Sequence, residues 1–212
     1  LLPLSRAGLA GGEARIKCAT VRRSGPVCRS RDIAAGGQGA PLVPAFHEEI
    51  FSHPTIHRAI VNIGGIANIT ILNPETSTSG FDSGPGNILL DHWSQKHLHK
   101  AFDEDGSWAR EGQLIQTLLD AFFNDTYFEK TAPKSTGRDH FNEAWLNKHL
   151  QKSYSIQDIQ RTLLELTALS ISNAIKTHNA NISEIYLCGG GALNSLLVER
   201  LKSLNQNLAL ID

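Results

Sequence analysis

Methionine is absent from this sequence, cysteine is scarce and neither sign of charge dominates. No apolar run approaches the ~20 residues that a membrane-spanning helix needs, so no transmembrane helix is expected. The opening Leu1–Leu4 is too short for the apolar core of a secretion signal and lacks a basic lead-in. Cys18, Cys28 and Cys188 cannot all pair, and their spacing matches no metal motif. A disulfide scaffold and a metal finger are both excluded, and a reducing cytoplasm is the simplest setting. The net charge of -1 offers no global attraction to nucleic acid or to an anionic membrane.

What remains is ordinary globular composition: 212 residues, 41% hydrophobic and 19% charged. That length suits one large domain or two small ones with a real core. Residues 1–30 differ from the rest. Arg6, Arg15, Lys17, Arg22, Arg23 and Arg29 face the single acid Glu13, and the segment shows neither helical nor strand periodicity. It reads as a disordered or non-native leader, with a nucleic-acid-binding tail as the less favoured alternative.

From Arg31 the character changes. A glycine-rich loop runs into a proline-bounded segment. Two β-rich runs around Gly64-Gly65 in RAIVNIGGIANITIL then signal a hairpin. NPET is a turn. STSGFDSGPGN leads into a helix over about 87–99, and its glycines around Asp82 read either as a turn or as backbone shaped to hold something next to that acid. A further helix is predicted over 107–123, and a short one within FNEAWLNKHL. Ser155 and Asp158 form a capping pattern for a long helix whose apolar spacing runs through Ile159, Leu163, Leu166, Leu169 and Ile175. SEIYLCGGGALNSLLVERLKSL reads as strand, glycine turn and helix, and NLALID as a final strand. Hairpin strands followed by helix, strand and helix predict a layered α/β domain with a mixed sheet.

Three glycine clusters could carry chemistry. In YLCGGGALN a strand ends, Gly189, Gly190 and Gly191 follow, and a helix begins near Asn194; this suits a phosphate or nucleotide, or is simply a tight turn. In VNIGGIANIT, Gly64 and Gly65 are either hairpin chemistry or an anion nest, and Asn62 and Asn68 are unusual in strands. In RDIAAGGQGAPLVPAFH, Gln38 and Gly39 sit between Asp32 and His47, in a surface loop or a sugar-binding one. Lys134 and Arg138 in KSTGRDH could clamp phosphate or lie in a solvated loop with a helix cap. DEDG fails as a calcium loop, because Ala101 would stand where Asp is required. His92, His97 and His99 have no completing acid and read as surface histidines.

In this order and wording, RDIAAGGQGAPLVPAFH, VNIGGIANIT, GFDSGPGN, PKSTGRDHF and CGGGALN closely resemble the anhydro-N-acetylmuramic acid kinase family, from about Arg31 to Asp212. The resemblance implies a ribonuclease-H-like lobe of the actin, Hsp70 and sugar-kinase type. It implies an ATP- and Mg²⁺-dependent kinase that opens 1,6-anhydro-N-acetylmuramic acid with water and phosphorylates O6, in the peptidoglycan recycling of a bacterial cytoplasm. Asp82 would be the catalytic base. Gly64, Gly65, Asn68, Gly84, Gly86, Gly189, Gly190, Gly191 and Asn194 would bind nucleotide, and Asp32, Gln38, Gly39 and His47 the sugar; no protein metal ligand is assigned. The expected partner is the anhydrosugar, not nucleic acid or membrane, and a homodimer is left open.

The expected organisation is a leader over 1–30, a remnant of the first lobe with its inter-lobe loop over 31–58, and the second, nucleotide-binding lobe over 59–212. The family's first-lobe phosphate loop and C-terminal end are not matched. An inactive nucleotide-binding remnant is therefore the alternative to a working kinase. A dinucleotide-dependent oxidoreductase ranks last, since CGGGALN lacks the acidic partner of that fingerprint.

Overall fold

The computed structural model describes residues 43–178 and 181–211. The expected leader, and Asp32, Gln38 and Gly39, lie outside the described residues. Helix α1, Val43–Phe51, comes first. It occupies the proline-bounded segment, where Pro44 sits in the first turn and its missing N–H is no loss. The predicted hairpin follows, with β1 at Arg58–Ile63, β2 at Ile66–Leu72 and Gly64-Gly65 between them. Ser79–Pro85 forms β3, antiparallel to β2 with a bulge at Ala67/Asn68. The turn reading of GFDSGPGN is therefore corrected to an edge strand. Its glycines hid the alternating pattern by which strands are read.

Helix α2, Ile88–Leu98, matches its prediction. The helix expected over 107–123 is instead two, α3 at Ser107–Glu111 and α4 at Gln116–Phe123. Gly112 breaks it with extended backbone (φ -86°, ψ 161°). The N–H groups freed there are taken by a neighbouring helix: Gln113 donates to Asp158 Oδ1 (2.7 Å) and Ile115 to Thr162 Oγ1 (3.0 Å). The short α5 is Glu143–Asn147. The long helix α6 spans Ile156–His178. Its N–H at Asp158 donates to Ser155 Oγ (3.1 Å), which is half of the expected capping box. β4 is Glu184–Cys188, α7 is Ser195–Leu204 and β5 is Ala209–Ile211, with a 3₁₀ turn at Gly190–Leu193 before α7.

The five strands lie in the order β3-β2-β1-β4-β5. β1 pairs antiparallel with β2 and parallel with β4, so the sheet is mixed, as expected of the α/β, ribonuclease-H-like lobe. On one face Ala59, Val61, Ile63, Ile69, Phe81, Ile185 and Leu187 belong to the main core, where α6 packs against β2 and β3. α6 is buried round most of its circumference, because the sheet lies on one side and helices α2, α3, α4 and α7 on the others. Its buried Glu165 is bonded by Arg161 (3.0 Å) and Arg200 (2.7 Å). On the opposite face α1 covers one end of the sheet, with Phe51 against Ile60 and Leu72. Arg58 fixes that end by donating to Phe51 O (2.7 Å) and Glu184 Oε2 (2.7 Å).

The hairpin tip is locked to the start of α2. Gly86 and Ile88 donate their N–H groups to Gly65 O (2.9 and 3.0 Å), and Asn87 donates to Gly64 O (2.8 Å). Thr167 Oγ1 of α6 donates to Gly86 O (3.0 Å). A Cβ on residue 86 would collide with Gly64 O and stand 3.1 Å from Ala67 N, so only glycine allows this approach. Gly86→Ala is expected to destabilise the lobe by about 1–3 kcal/mol or more. Urea unfolding should show a lower midpoint at an unchanged slope.

Candidate active site

Strand alternation and register together build a polar row across the sheet. Asn62 of β1 stands opposite both Asn68 of β2 and Cys188 of β4, and Asn68 stands opposite Asp82 of β3. All four are half-buried, on the face away from the main core. Cys188 Sγ lies 3.8 Å from Asn62 Oδ1. The same alternation that sends Ile69 and Phe81 into the core therefore turns an amide and a carboxylate the other way.

Asp82 is held from four directions by one segment. Its backbone N–H donates to Lys134 O (2.9 Å), and its C=O accepts from Tyr127 Oη (2.7 Å). Its Oδ2 accepts from Ser135 Oγ (3.1 Å) and from the Thr136 N–H (2.9 Å). Oδ1 makes no hydrogen bond among the described residues. One carboxylate oxygen is thus anchored and the other left able to accept a proton. Burial beside the Asp82 charge raises the Tyr127 hydroxyl far above its ordinary value, so it stays a donor.

The turn between β4 and α7 lies against the end of β1. Gly189 takes φ +84°, and a Cβ there would stand 2.6 Å from Asn62 Oδ1. Asn87 Nδ2 donates to Ile63 O (3.4 Å) and joins the start of α2 to the end of β1, on which this turn packs. Beyond it opens a cavity of about 230 Å³, lined by Asn87, Asp91, Phe102, Gly190, Leu193 and Asn194 among others. Asp103 and Asp105 also line it; the Asp103 carboxylate is engaged at both oxygens, and that of Asp105, which is exposed, at one. Asp103 accepts the Trp108 and Ala109 N–H groups (both 2.9 Å), and Asp105 accepts the Ser195 N–H (3.1 Å). Burial pushes Asp91 up to about 6.

A sequence model of the anhydro-N-acetylmuramic acid kinase family matches residues 17–211. The chain belongs to that family. It is similar to anhydro-N-acetylmuramic acid kinases from Nitrosomonas europaea (53% identical over 174 residues, 82% of this chain and 48% of the relative) and from a Sulfurovum species (51% over 183 residues, 85% and 50%). The chain thus spans about half the length of these relatives. Among solved structures, a Rhodospirillum rubrum xylulose kinase is 14% identical with a TM-score of 0.49, covering 80% of this chain and 37% of that one.

The anhydromuramic acid kinase motifs converge in part. Asp82, Asn68, Gly64 and Gly65 meet at the row and the hairpin tip, and Gly189, Gly190, Gly191 and Asn194 form the turn between that tip and the cavity. Asn194 also caps α7 by accepting the Leu197 N–H (3.1 Å). Gly84 and Gly86 are buried, and Gly84 packs towards Phe128 and Ser170. His47 is not brought to the row. It is a residue of α1, 2% exposed, with Nδ1 2.9 Å from Thr70 Oγ1 of β2.

The KSTGR segment holds Asp82, and its Lys134 donates to Tyr127 O (3.3 Å) across that ring. The helix cap in this region is Asn142, which accepts the Trp145 N–H (3.0 Å). Of the expected surface histidines only His99 is exposed; His92 and His97 are half-buried, and His97 rests on Trp93 (centroids 4.0 Å). Sequence reasoning missed Tyr127, Ser135, Thr136, Asp91, Phe102 and Leu193. The paired hydroxyls of Ser135 and Thr136 were the one signal it offered.

Asp91 titrates at about 6 in the folded chain against an ordinary 3.8. Between those values the folded state keeps a proton that the unfolded chain has released. Its contribution to stability therefore falls as pH rises through that window and stays low above it. Asp91→Asn removes the ionisation. Thermal melts should show the variant above the wild type in Tm at pH 7.5, with the gap closing towards pH 4.

Proposed function

We propose that this chain carries the base and the nucleotide half of the site of a kinase acting on 1,6-anhydro-N-acetylmuramic acid. The observation that supports this most is Asp82, anchored through Oδ2 and open at Oδ1. Asp82 accepts a proton from water as the water oxygen bonds to the anomeric carbon. The bond from that carbon to O6 breaks, and O6 attacks the γ-phosphorus of ATP while the bond to the bridging oxygen of ADP breaks. The products are N-acetylmuramic acid 6-phosphate and ADP. In-line positioning carries most of the burden in such a transfer, which suits a carboxylate fixed at both backbone and side chain.

The nucleotide lies along the hairpin tip and the Gly189–Gly191 turn, with its base end at the cavity. The described residues include no cluster of three or more His, Cys, Asp or Glu able to hold a metal ion. Mg²⁺ needs no such cage, because it keeps water and takes oxygens from phosphate and from one or two carboxylates. The amide oxygens of Asn62 and Asn68 on the row fit it through its waters, and Asp82 is left free to act as the base. Bound there, Mg²⁺ would offset phosphate charge. The reaction places the protein in bacterial peptidoglycan recycling, in the cytoplasm.

The test joins this chain to the flanking segments by which the Nitrosomonas europaea relative exceeds it in length. With ATP, Mg²⁺ and the anhydrosugar in ¹⁸O-water, mass spectrometry should find the 6-phosphate with ¹⁸O at the anomeric carbon. Asp82→Asn should lower the rate by about 10²–10⁴-fold and leave ATP affinity unchanged. An undiminished rate in that variant sinks the base assignment. ATP binding without turnover in the joined wild type favours a nucleotide-binding remnant.

A further inference from the structure

The cavity beyond the glycine turn has two features that the packing of the lobe does not use. Phe102 and Leu193 are 58% and 82% exposed at its lining. Large apolar side chains left in water at a concave site are suited to cover a flat heteroaromatic ring. The second feature is Asp91. Both oxygens of Asp103 are taken by the N–H groups of Trp108 and Ala109, and Asp105, which accepts the Ser195 N–H at Oδ1, is exposed to water and needs no further partner. Asp91, half-buried on the first turn of α2, makes no side-chain hydrogen bond or ion pair among the described residues. A partly desolvated carboxylate without donors is unfavourable, and nothing within the described lobe offsets it. A ligand with hydroxyl donors would.

The surroundings select which donors. Two adjacent hydroxyls offer two O–H groups to the two oxygens of one carboxylate. Three carboxylates on one lining repel phosphate and direct it away from this end. Asn87, one helical turn before Asp91 and bonded to Ile63 O, stands between the cavity and the hairpin tip, where the phosphates would lie. We propose that Asp91 accepts hydrogen bonds from the 2′- and 3′-hydroxyls of the bound nucleotide, with Phe102 and Leu193 against its base, so that the site selects ribonucleotides over deoxyribonucleotides. This inference rests on the nucleotide-binding reading of the preceding subsection.

Calorimetry on this chain with Mg²⁺ present, titrating ATP, 2′-deoxyATP, 3′-deoxyATP and inorganic triphosphate, tests it. The wild type should bind ATP about tenfold more tightly than either deoxynucleotide, the scale of one hydrogen bond to a charged group. Asp91→Ala should bind all three nucleotides equally, and Asp91→Asn, which keeps the shape, should show a reduced preference. Circular dichroism confirms that each variant is folded; if the alanine variant is not, the asparagine variant decides. Equal wild-type affinity for ATP and both deoxynucleotides overturns the role of Asp91, as does a preference that survives both substitutions. ATP binding no tighter than that of inorganic triphosphate overturns the nucleotide reading itself, and this inference with it.

Discussion

The contact between the Gly64-Gly65 tip and the start of α2 decides where everything else can lie. Two carbonyl oxygens receive three N–H groups, so the first turn of α2 is satisfied by the hairpin rather than by water or a side chain. The close approach brings β3 alongside β2 in the register that sets Asp82 beside Asn68. It also brings Asn87 to Ile63, against which the Gly189–Gly191 turn then packs. Row, turn and cavity all derive their spacing from this one junction. Thr167 ties it to the long helix, so the hydrophobic core and the polar site share a bond.

Glycine in this lobe has two separate uses. At position 86 it removes steric bulk inside the protein, and no ligand is needed to explain it. At positions 64, 65 and 190 a Cβ would meet nothing closer than 3.5 Å, so sterics within the lobe do not demand glycine there. Those are the positions where bare backbone is available to something outside the chain. The distinction separates glycines that the packing of the lobe requires from glycines that it does not.

The hairpin, α2, the long α6 and the strand–turn–helix at Gly189 were legible because each has a local signal: alternation, a 3.6-residue stripe, or glycine punctuation between apolar runs. β3 was not, since Gly80, Gly84 and Pro85 leave too few side chains to show a period of two. The break at Gly112 was hidden for another reason. Its freed N–H groups are bonded by Asp158 and Thr162, some 45 residues later, and no local window contains them. The site divides in the same way. Asp82 stood out through its glycine neighbours, whereas the residues that orient it, Tyr127, Ser135 and Thr136, are joined to it only by tertiary structure. Asp91 looked like any acid in the first turn of a helix until it could be seen that no side-chain partner stands beside it among the described residues.

The segment from Tyr127 to Thr136 also closes an open border. β3 is an outer strand, and the N–H and C=O of Asp82 point away from β2. Unpaired, they would form a template for a strand from another molecule. Tyr127 Oη and Lys134 O occupy both groups. Resistance to self-association along this edge and the posture of the Asp82 carboxylate are thereby vested in the same few residues. A change that loosens the strap exposes the lobe to aggregation and sets the Asp82 side chain free at once.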